Sequence, residues 1–388
     1  MPKSKPNLII LGASGGVARA MLQLLTKHRK KFSSLLLSDR QNSVLHDKHI
    51  DHKSLNYKFM LFEFNDQNVD DFIQQLHKKY KSAIVLDMTD CPTLPILSAV
   101  DSVGFNYMNC SLNLPDGRTL INFVEDMSSF ADRFNNGIHV LSNGMNPGII
   151  NHLVMRGVVE HGLPNEIIEI EYESGNPKID SHKPFTTWSK VQFLTESVRW
   201  NSGHCNSQGV YIETEKNAIN TLVSTKKYLE PIKKLKKYPM GMVVAHDEII
   251  AMCRILEVPG KFIYAIHPKS LSRLRKLVGS GREVDEKDIV FENNSLVPLD
   301  GSDCIGIWLM YDSKSICYFV DVKHSKIKGT NATLMMVAIG VLAGLIDYVD
   351  HSLRHKGTYS VGDLSSENFL KIVSEYMEIK KKEIVKRK

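Results

Sequence analysis

The sequence predicts an α/β protein: a doubly wound, open parallel sheet in its first part, a separate α+β domain after it, and a helical C-terminal stretch. Three observations carry this expectation. Short apolar runs alternate with amphipathic runs up to Pro147, the texture then changes to longer strands between polar loops, and from about Lys328 the apolar periodicity is helical again. These changes place domain boundaries at 1–147, 148–327 and 328–388.

The first domain opens with the strand "NLIILG", then the helix "VARAMLQLLTKHRKKF", the strand "SLLLSDR", a polar stretch to the strand "YKFMLFEFN", the helix "VDDFIQQLHKKYK" and the strand "SAIVLDMTD". A helix "LPILSAVDSVG", a strand "FNYMNCS", a helix near "LINFVEDMSSFADRF" and a strand "GIHVLSN" complete it. Such alternation is that of a parallel sheet with helical crossovers. Longer strands are expected in "NEIIEIEYESG", "GMVVAHDEIIAM" and "KFIYAIHP", and a late helix in "TNATLMMVAIGVLAGLIDYVDHSL", where Thr330 or Asn331 would cap the first turn.

A chain of 388 residues has room for two or three domains and a sizeable core, and 43% hydrophobic with 24% charged residues excludes disordered and fibrous classes. The six cysteines are scattered, with no CxxC pair and no His cluster at ligand spacing, so neither a disulfide framework nor a metal site is expected and a reducing cytoplasm fits best. "MPKSKPNLIILG" does not read as a secretory signal. The apolar run Leu334 to Ile346 is shorter than the roughly 20 residues of a spanning helix and reads as a buried helix, with no membrane partner. The net charge of +6 collects in "KKYLEPIKKLKKY" and "KKKEIVKRK", read as solvated faces or tails; without a groove-reading motif, nucleic acid is not an expected partner.

The strand–turn–helix "LIILGASGGVARAML" marks a dinucleotide site of Rossmann type. Gly12, Ser14, Gly15, Gly16 and Val17 form the turn and helix start, where glycine permits a tight turn and close approach to a pyrophosphate over the positive helix end. The motif reads GxxGGxA rather than GxGxxG. Asp39, ending "SLLLSDR" somewhat later than the usual spacing of about twenty residues, would bond the adenosine ribose and repel a 2′-phosphate, which favours NAD; Arg40 beside it is the alternative, a phosphate acceptor. Asp87 and Thr89, at the end of "VLDMTD", are candidates for ribose contacts; alternatively, Thr89 or Asp90 caps the next helix.

Four further stretches, "SNGMNPGIINHLVMRGV", "FTTWSKVQFLTES", "VVAHDEIIAM" and "TNATLMMVAIGVLAGLIDYV", occur in an order that resembles homospermidine synthase, in the saccharopine dehydrogenase-like superfamily. That resemblance covers most of the chain. It implies tightly held NAD, hydride taken from putrescine and later returned, ammonia released, and addition of a second diamine. It also implies a substrate and dimerisation domain inserted after the Rossmann domain, C-terminal helices packing back on the first domain, and a homodimer.

The resemblance casts Trp188 as a π face for a substrate cation and Glu196 as its acidic partner; if "TTWSKVQFLTES" were helical, Trp188, Gln192 and Glu196 would share a side. A strand through "VAHDEIIAM" would put His246 and Glu248 on one face, a pair suited to proton exchange on an imine near neutral pH. Asn146 and Pro147 fall at a turn beside the cofactor, and Glu173 and Asp303 near two further family acids. Plainer roles are a core Trp, a satisfied His and an N-cap. One departure stands out in "NYMNCSLNLPDG": the family's acidic positions hold Asn109 and Asn113, and Asn113 replaces an amine anchor whose charge-assisted bond is worth about 1.5–3 kcal/mol.

Overall fold

The structure, a computed structural model, describes residues 5–65, 67–113, 130, 133–178, 182–291, 298–351 and 355–385. The helix expected near "LINFVEDMSSFADRF" lies mostly outside them. The chain divides into two compact units: unit 1 is Met1–Ile149 with Met335–Val373, and unit 2 is Ile150–Leu334 with Ser374–Lys388.

In unit 1 the strands β1 (Asn7–Leu11), β2 (Leu35–Asp39), β3 (Lys58–Leu61), β4 (Ala83–Asp87), β5 (Asn106–Asn109) and β6 (Ile138–Leu141) lie in the order 3-2-1-4-5-6. Gly357–Ser360 joins at the β6 edge, so among the described residues the sheet has seven strands, all paired in parallel. This is the Rossmann doubly wound sheet. β1, β2 and β4 are near-continuous apolar runs because both sheet faces are covered. The crossover helix Val69–Lys79 buries Val69, Phe72, Ile73 and Leu76 against Ile96, Leu97 and Val100 of the helix Thr93–Ser102, each full burial contributing about 1.5–3 kcal/mol.

The late helix runs Ala332–His351, and of its two candidate caps Asn331 accepts from the Leu334 N–H at 2.9 Å. By length and composition it is apolar enough to cross a membrane, but 89% of its apolar window is buried inside the protein, as in a core helix. Gly340 is required where this helix meets Gly144, because a Cβ there would run into the Gly144 carbonyl. "KKKEIVKRK" is not a tail throughout: Lys380–Val385 is a strand paired antiparallel with Lys314–Lys323, and it belongs to unit 2.

Unit 2 is built on a mixed sheet. Its centre is β7 (Glu166–Glu173), parallel to Gly260–Ile266 on one side and antiparallel to Ser302–Met310 on the other. Ile168, Ile170 and Tyr172 point to one face and pack with Ile263, Trp308 and Phe319. The alternate positions Glu169, Glu171 and Glu173 point to the other face and are buried too. The helix Asp247–Leu256 packs against β7 and Gly260–Ile266.

Two local expectations are corrected. The stretch "VVAHDEIIAM" is not one strand: the strand Met240–Val244 stops, His246 takes the N-cap position, and a helix runs from Asp247 to Leu256. Asp247 and Glu248 suit the positive first turn, and Ile249, Ile250, Met252 and Cys253 supply the buried stripe. In "TTWSKVQFLTES" the helix spans only Lys190–Leu194, opened by Ser189 accepting from the Gln192 N–H at 3.4 Å, and passes into a π turn over Thr195–Arg199. Trp188 therefore precedes the helix, and the regular spacing of positions 188, 192 and 196 is lost.

Candidate active site

In unit 1, β1 ends in a turn that only glycine can make. Gly12 has φ +74°, and a Cβ on it would lie 2.5 Å from the Met88 carbonyl oxygen. The Gly15 N–H closes the turn on the Gly12 carbonyl at 3.0 Å, and the helix Gly16–Leu25 starts with no side-chain cap. The N–H groups of its first turn, Gly16 and Val17 among them, thus form an anion-binding helix end. Asp39, ending β2, accepts from the Ser14 N–H at 2.8 Å and the Gln41 N–H at 2.8 Å, so its carboxylate is clamped beside the turn. Arg40 points outward and lies 3.9 Å from Glu63, with 67% of its side chain exposed, so Asp39 rather than Arg40 is built into the turn.

Asp87 spends both carboxylate oxygens locally. Oδ1 accepts from the Thr89 N–H and hydroxyl, at 3.0 and 2.8 Å, and Oδ2 accepts from the Tyr107 hydroxyl at 2.7 Å. Thr89 in turn accepts from the Cys91 N–H at 3.2 Å, so both residues are engaged in the local turn, while the helix Thr93–Ser102 has Pro92 at its N-cap and no side-chain cap bond, which corrects the capping alternative. Asn109 and Asn113 are also occupied: Asn109 accepts from the Ser142 N–H at 2.8 Å, and Asn113 donates to the Thr89 carbonyl at 3.1 Å, which a carboxylate cannot do. Asn146 and Pro147 sit in the Gly144–Gly148 loop that leads into the helix Ile149–His161, joined by a cis peptide bond.

Unit 2 gathers the acidic candidates. On β7 and the aligned position of the next strand, Glu173 and Asp303 are register partners, 2% and 0% exposed. The Trp188 indole N–H donates to the Tyr264 hydroxyl at 2.9 Å, and that hydroxyl donates to Glu173 Oε2 at 2.6 Å. Asp303 Oδ2 accepts from Thr333 at 2.6 Å, Thr333 lies 2.8 Å from Thr187, and Asn331 holds the Thr187 carbonyl at 2.6 Å. Trp188 is half-buried, edge-on to Phe193 and Tyr264, with ring centroids 6.1 and 6.2 Å away.

His246 stands among three carboxylates. Its Nδ1 is hydrogen-bonded to Glu248 Oε2 and lies 3.1 Å from Asp247 Oδ1, while Nε2 is 3.8 Å from Glu196 Oε1. The stretch "VAHDE" thus brings His246 and Glu248 together through a strand-to-helix junction rather than along a strand face. Glu171 joins the two groups electrostatically, feeling Asp303 and Glu173 as well as His246 and Glu196.

Burial and mutual repulsion set the protonation of this cluster. Burial pushes Glu196 up to about 7, with His246 pulling the other way. Burial and the neighbouring Glu173 push Asp303 up to about 7 against the bond from Thr333. Burial raises Glu173 too, opposed by bonds from Tyr264, Thr187 and Trp188. For His246 burial acts downward but is outweighed by Glu248, Glu196 and Asp247, so the imidazole is held well above its ordinary value and is cationic at neutral pH. A wall of buried carboxyls that exceeds its basic groups is an environment for a guest bearing positive charge, with proton-exchanging groups and an aromatic ring beside it.

Glu169, Glu171, Tyr264, Thr187 and Thr333 were not among the sequence candidates. The one signal was acidic residues at every second position in "EIEYE", which ordinarily marks a water-facing strand side; only the helix packed over that side makes it interior.

Residues 8–141 match the family model of the saccharopine dehydrogenase NADP binding domain. In fold the chain is similar to homospermidine synthase from Legionella pneumophila, solved in complex with NAD, at a TM-score of 0.77 and 16% identity, covering 98% of this chain and 91% of that one. A myo-inositol 2-dehydrogenase from Lactobacillus plantarum aligns at a TM-score of 0.44 and 8% identity, over 95% of this chain and 94% of that one. No curated protein sequence matches the chain. Residues 8–141 are thus similar to a saccharopine dehydrogenase NADP binding domain, and the chain has the fold of the Legionella homospermidine synthase structure.

Proposed function

We propose that the protein is an NAD-dependent enzyme of the homospermidine synthase kind, transferring the aminobutyl group of putrescine to a second amine, putrescine or spermidine, with release of ammonia and no net redox change. The observation that carries this reading is the buried acidic cluster of unit 2: Glu173, Asp303, Glu196, Glu248 and Glu171 around His246 and Trp188. A diamine dication supplies the charge that this cluster lacks.

The glycine turn, the open helix start and the clamped Asp39 fit a dinucleotide, and the Asp39 carboxylate beside the turn favours NAD by repelling a 2′-phosphate. Bound NAD supplies a hydride acceptor that later serves as donor. The rest is the work of this chain's side chains. Glu173 and Asp303 hold an ammonium group, and the Tyr264–Trp188 hydrogen-bond chain fixes the Glu173 carboxylate. The Trp188 face steadies the cationic carbon of an iminium, an interaction worth about 2 kcal/mol when desolvated. Because Glu248 and Asp247 fix His246 Nδ1, Nε2 is the nitrogen that exchanges protons with amine and departing ammonia, with Glu196 beside it.

The alternative of net reductive amination of a keto acid needs a basic residue at the substrate carboxylate. The basic residues Arg199 and Lys190 could be offered for that place; Arg199 is exposed, and Lys190 reaches the Glu286 carbonyl at 3.4 Å. On the preferred reading the protein acts as a homodimer in the cytoplasm. Mass spectrometry of the purified protein with putrescine and NAD tests it: homospermidine and ammonia are expected, and NADH accumulating in proportion to product would exclude it.

A further inference from the structure

We infer that Thr333 is a further positioning residue of the unit 2 site: its hydroxyl takes a hydrogen bond from Thr187, gives one to Asp303, and so fixes that carboxylate with one oxygen left for a guest ammonium group. A threonine hydroxyl has a single proton to give. With Asp303 ionised, the Thr333 proton goes to Oδ2 at 2.6 Å, so the 2.8 Å contact between Thr333 and Thr187 is donated by Thr187. Asp303 Oδ1, fully buried, has no donor among the described residues. Such an oxygen is where burial of the charge costs most and where a cation gains most.

The relay has a twin. Trp188, the residue after Thr187, donates to the Tyr264 hydroxyl at 2.9 Å, which donates to Glu173 Oε2 at 2.6 Å. Glu173 and Asp303 are register partners, so two consecutive residues each reach one of two paired acids through one intervening hydroxyl. The helix start that carries Thr333 also holds Thr187: Asn331 donates to the Thr187 carbonyl at 2.6 Å and accepts from the Leu334 N–H at 2.9 Å. Thr187 and Thr333 are 0% and 3% exposed, so water does not compete for either hydroxyl. Asp303 faces Glu173 and Glu171 on β7, Asp321 on Lys314–Lys323, its chain neighbour Cys304, and Lys233, whose ammonium is paired with Asp321 at 2.7 Å. The bond from Thr333 is therefore the direct contact that favours ionised Asp303 against burial and its acidic neighbours. That the spare oxygen takes an amine rests on the proposed function; the relay itself does not.

Infrared titration of the ligand-free, full-length protein reads the relay, with the Asp303 carbonyl band identified by its loss in Asp303→Asn. Thr333→Val keeps the shape and deletes the hydroxyl, so Asp303 should hold its proton about tenfold more tightly, its midpoint moving to higher pH. In steady-state kinetics the same variant should raise KM for putrescine about tenfold at neutral pH, with kcat within about threefold, and carry the acid limb of kcat/KM to higher pH. Thr333→Ser, which keeps the hydroxyl, should recover most of both losses. Should Thr333→Val not fold, Thr187→Val, which removes the donor to Thr333 and spares the Thr187 carbonyl, should move the midpoint the same way by about twofold in proton affinity. An unmoved midpoint in the variant that folds, or a Ser variant as impaired as Val, overturns the relay. Midpoints that move as expected in a protein that turns over no polyamine would overturn the function and leave the relay standing.

Discussion

The two sites of this chain are made of different materials. The nucleotide turn of unit 1 is almost wholly backbone: a positive-φ glycine, an uncapped helix start, and one carboxylate clamped by two N–H groups. The proposed amine site of unit 2 is almost wholly side chain, brought together from six separate stretches, at 169–173, 187–196, 246–248, 264, 303 and 331–333. A backbone site is rigid, and it fails through shape. A side-chain site of this kind stores charge under repulsion, so it fails through protonation and through loss of single partners.

The largest effect should come from shape. Gly12→Val forces a Cβ to within 2.5 Å of the Met88 carbonyl at φ +74°, which costs about 2–4 kcal/mol of backbone strain and overpacking. Calorimetry should find NAD binding abolished and the unfolding transition lowered. If amine binding to the same variant, measured without dinucleotide, also vanishes, the two sites are not separately built.

Next comes the loss of one charge in unit 2. Glu173→Gln removes the carboxylate proposed to pair with an ammonium while leaving a group able to accept from Tyr264, so putrescine affinity should fall about 10- to 100-fold, the worth of a charge-assisted bond. NAD affinity should not move. An unchanged putrescine affinity in titration calorimetry would remove Glu173 from the amine site.

That contrast also explains what could be read in advance. β1, β2 and β4 were readable because apolar runs buried on both faces mark parallel-sheet interior, and the turn at Gly12 was readable because few positions need three glycines between a strand and a helix. His246 and Glu248 were found as a pair, but through the wrong element, because an apolar run interrupted by "HDE" fits either a continuous strand or a strand stopping at a helix N-terminus. Glu169 and Glu171 were invisible: strand alternation names the polar face, and whether water or a helix covers that face is decided by tertiary packing. Asn113, which stands where the family is expected to have an amine anchor, donates to the Thr89 carbonyl within unit 1, a bond that a carboxylate cannot make.

A pH titration should sharpen the difference between the two regions. Glu196 and Asp303 have folded values of about 7 against ordinary values of 4.5 and 3.8, so between those limits the folded state binds protons that the unfolded chain does not. The stability they contribute is therefore fully present below the ordinary values and lost as pH rises through about 7. The raised His246 acts in the same direction, while Glu248, held low chiefly by His246 against its burial, acts oppositely but only in acid. Without ligand the melting temperature should fall by several degrees from about pH 5 to about pH 8, while putrescine affinity, which needs ionised carboxyls, should rise by about tenfold. NAD affinity should be flat over the same range. A melting temperature that climbs with pH would show that the cluster is ionised and paired as it stands.

The smallest effect tests how far the aromatic ring matters beyond its bulk. Trp188→Phe keeps an edge-on ring near Phe193 and Tyr264 but deletes the indole N–H that donates to the Tyr264 hydroxyl. Tyr264 can still donate to Glu173, so the carboxylate stays in place and only its support loosens. The phenyl face is also the weaker host for a cation. The two losses together are worth about 1 kcal/mol, a roughly fivefold drop in putrescine affinity. Trp188→Leu, which removes the π face altogether, should lose more than Phe at equal burial. If Phe and Leu weaken the amine equally, Trp188 serves through its N–H and packing alone, and the unit 2 site is a carboxylate site without an aromatic contribution.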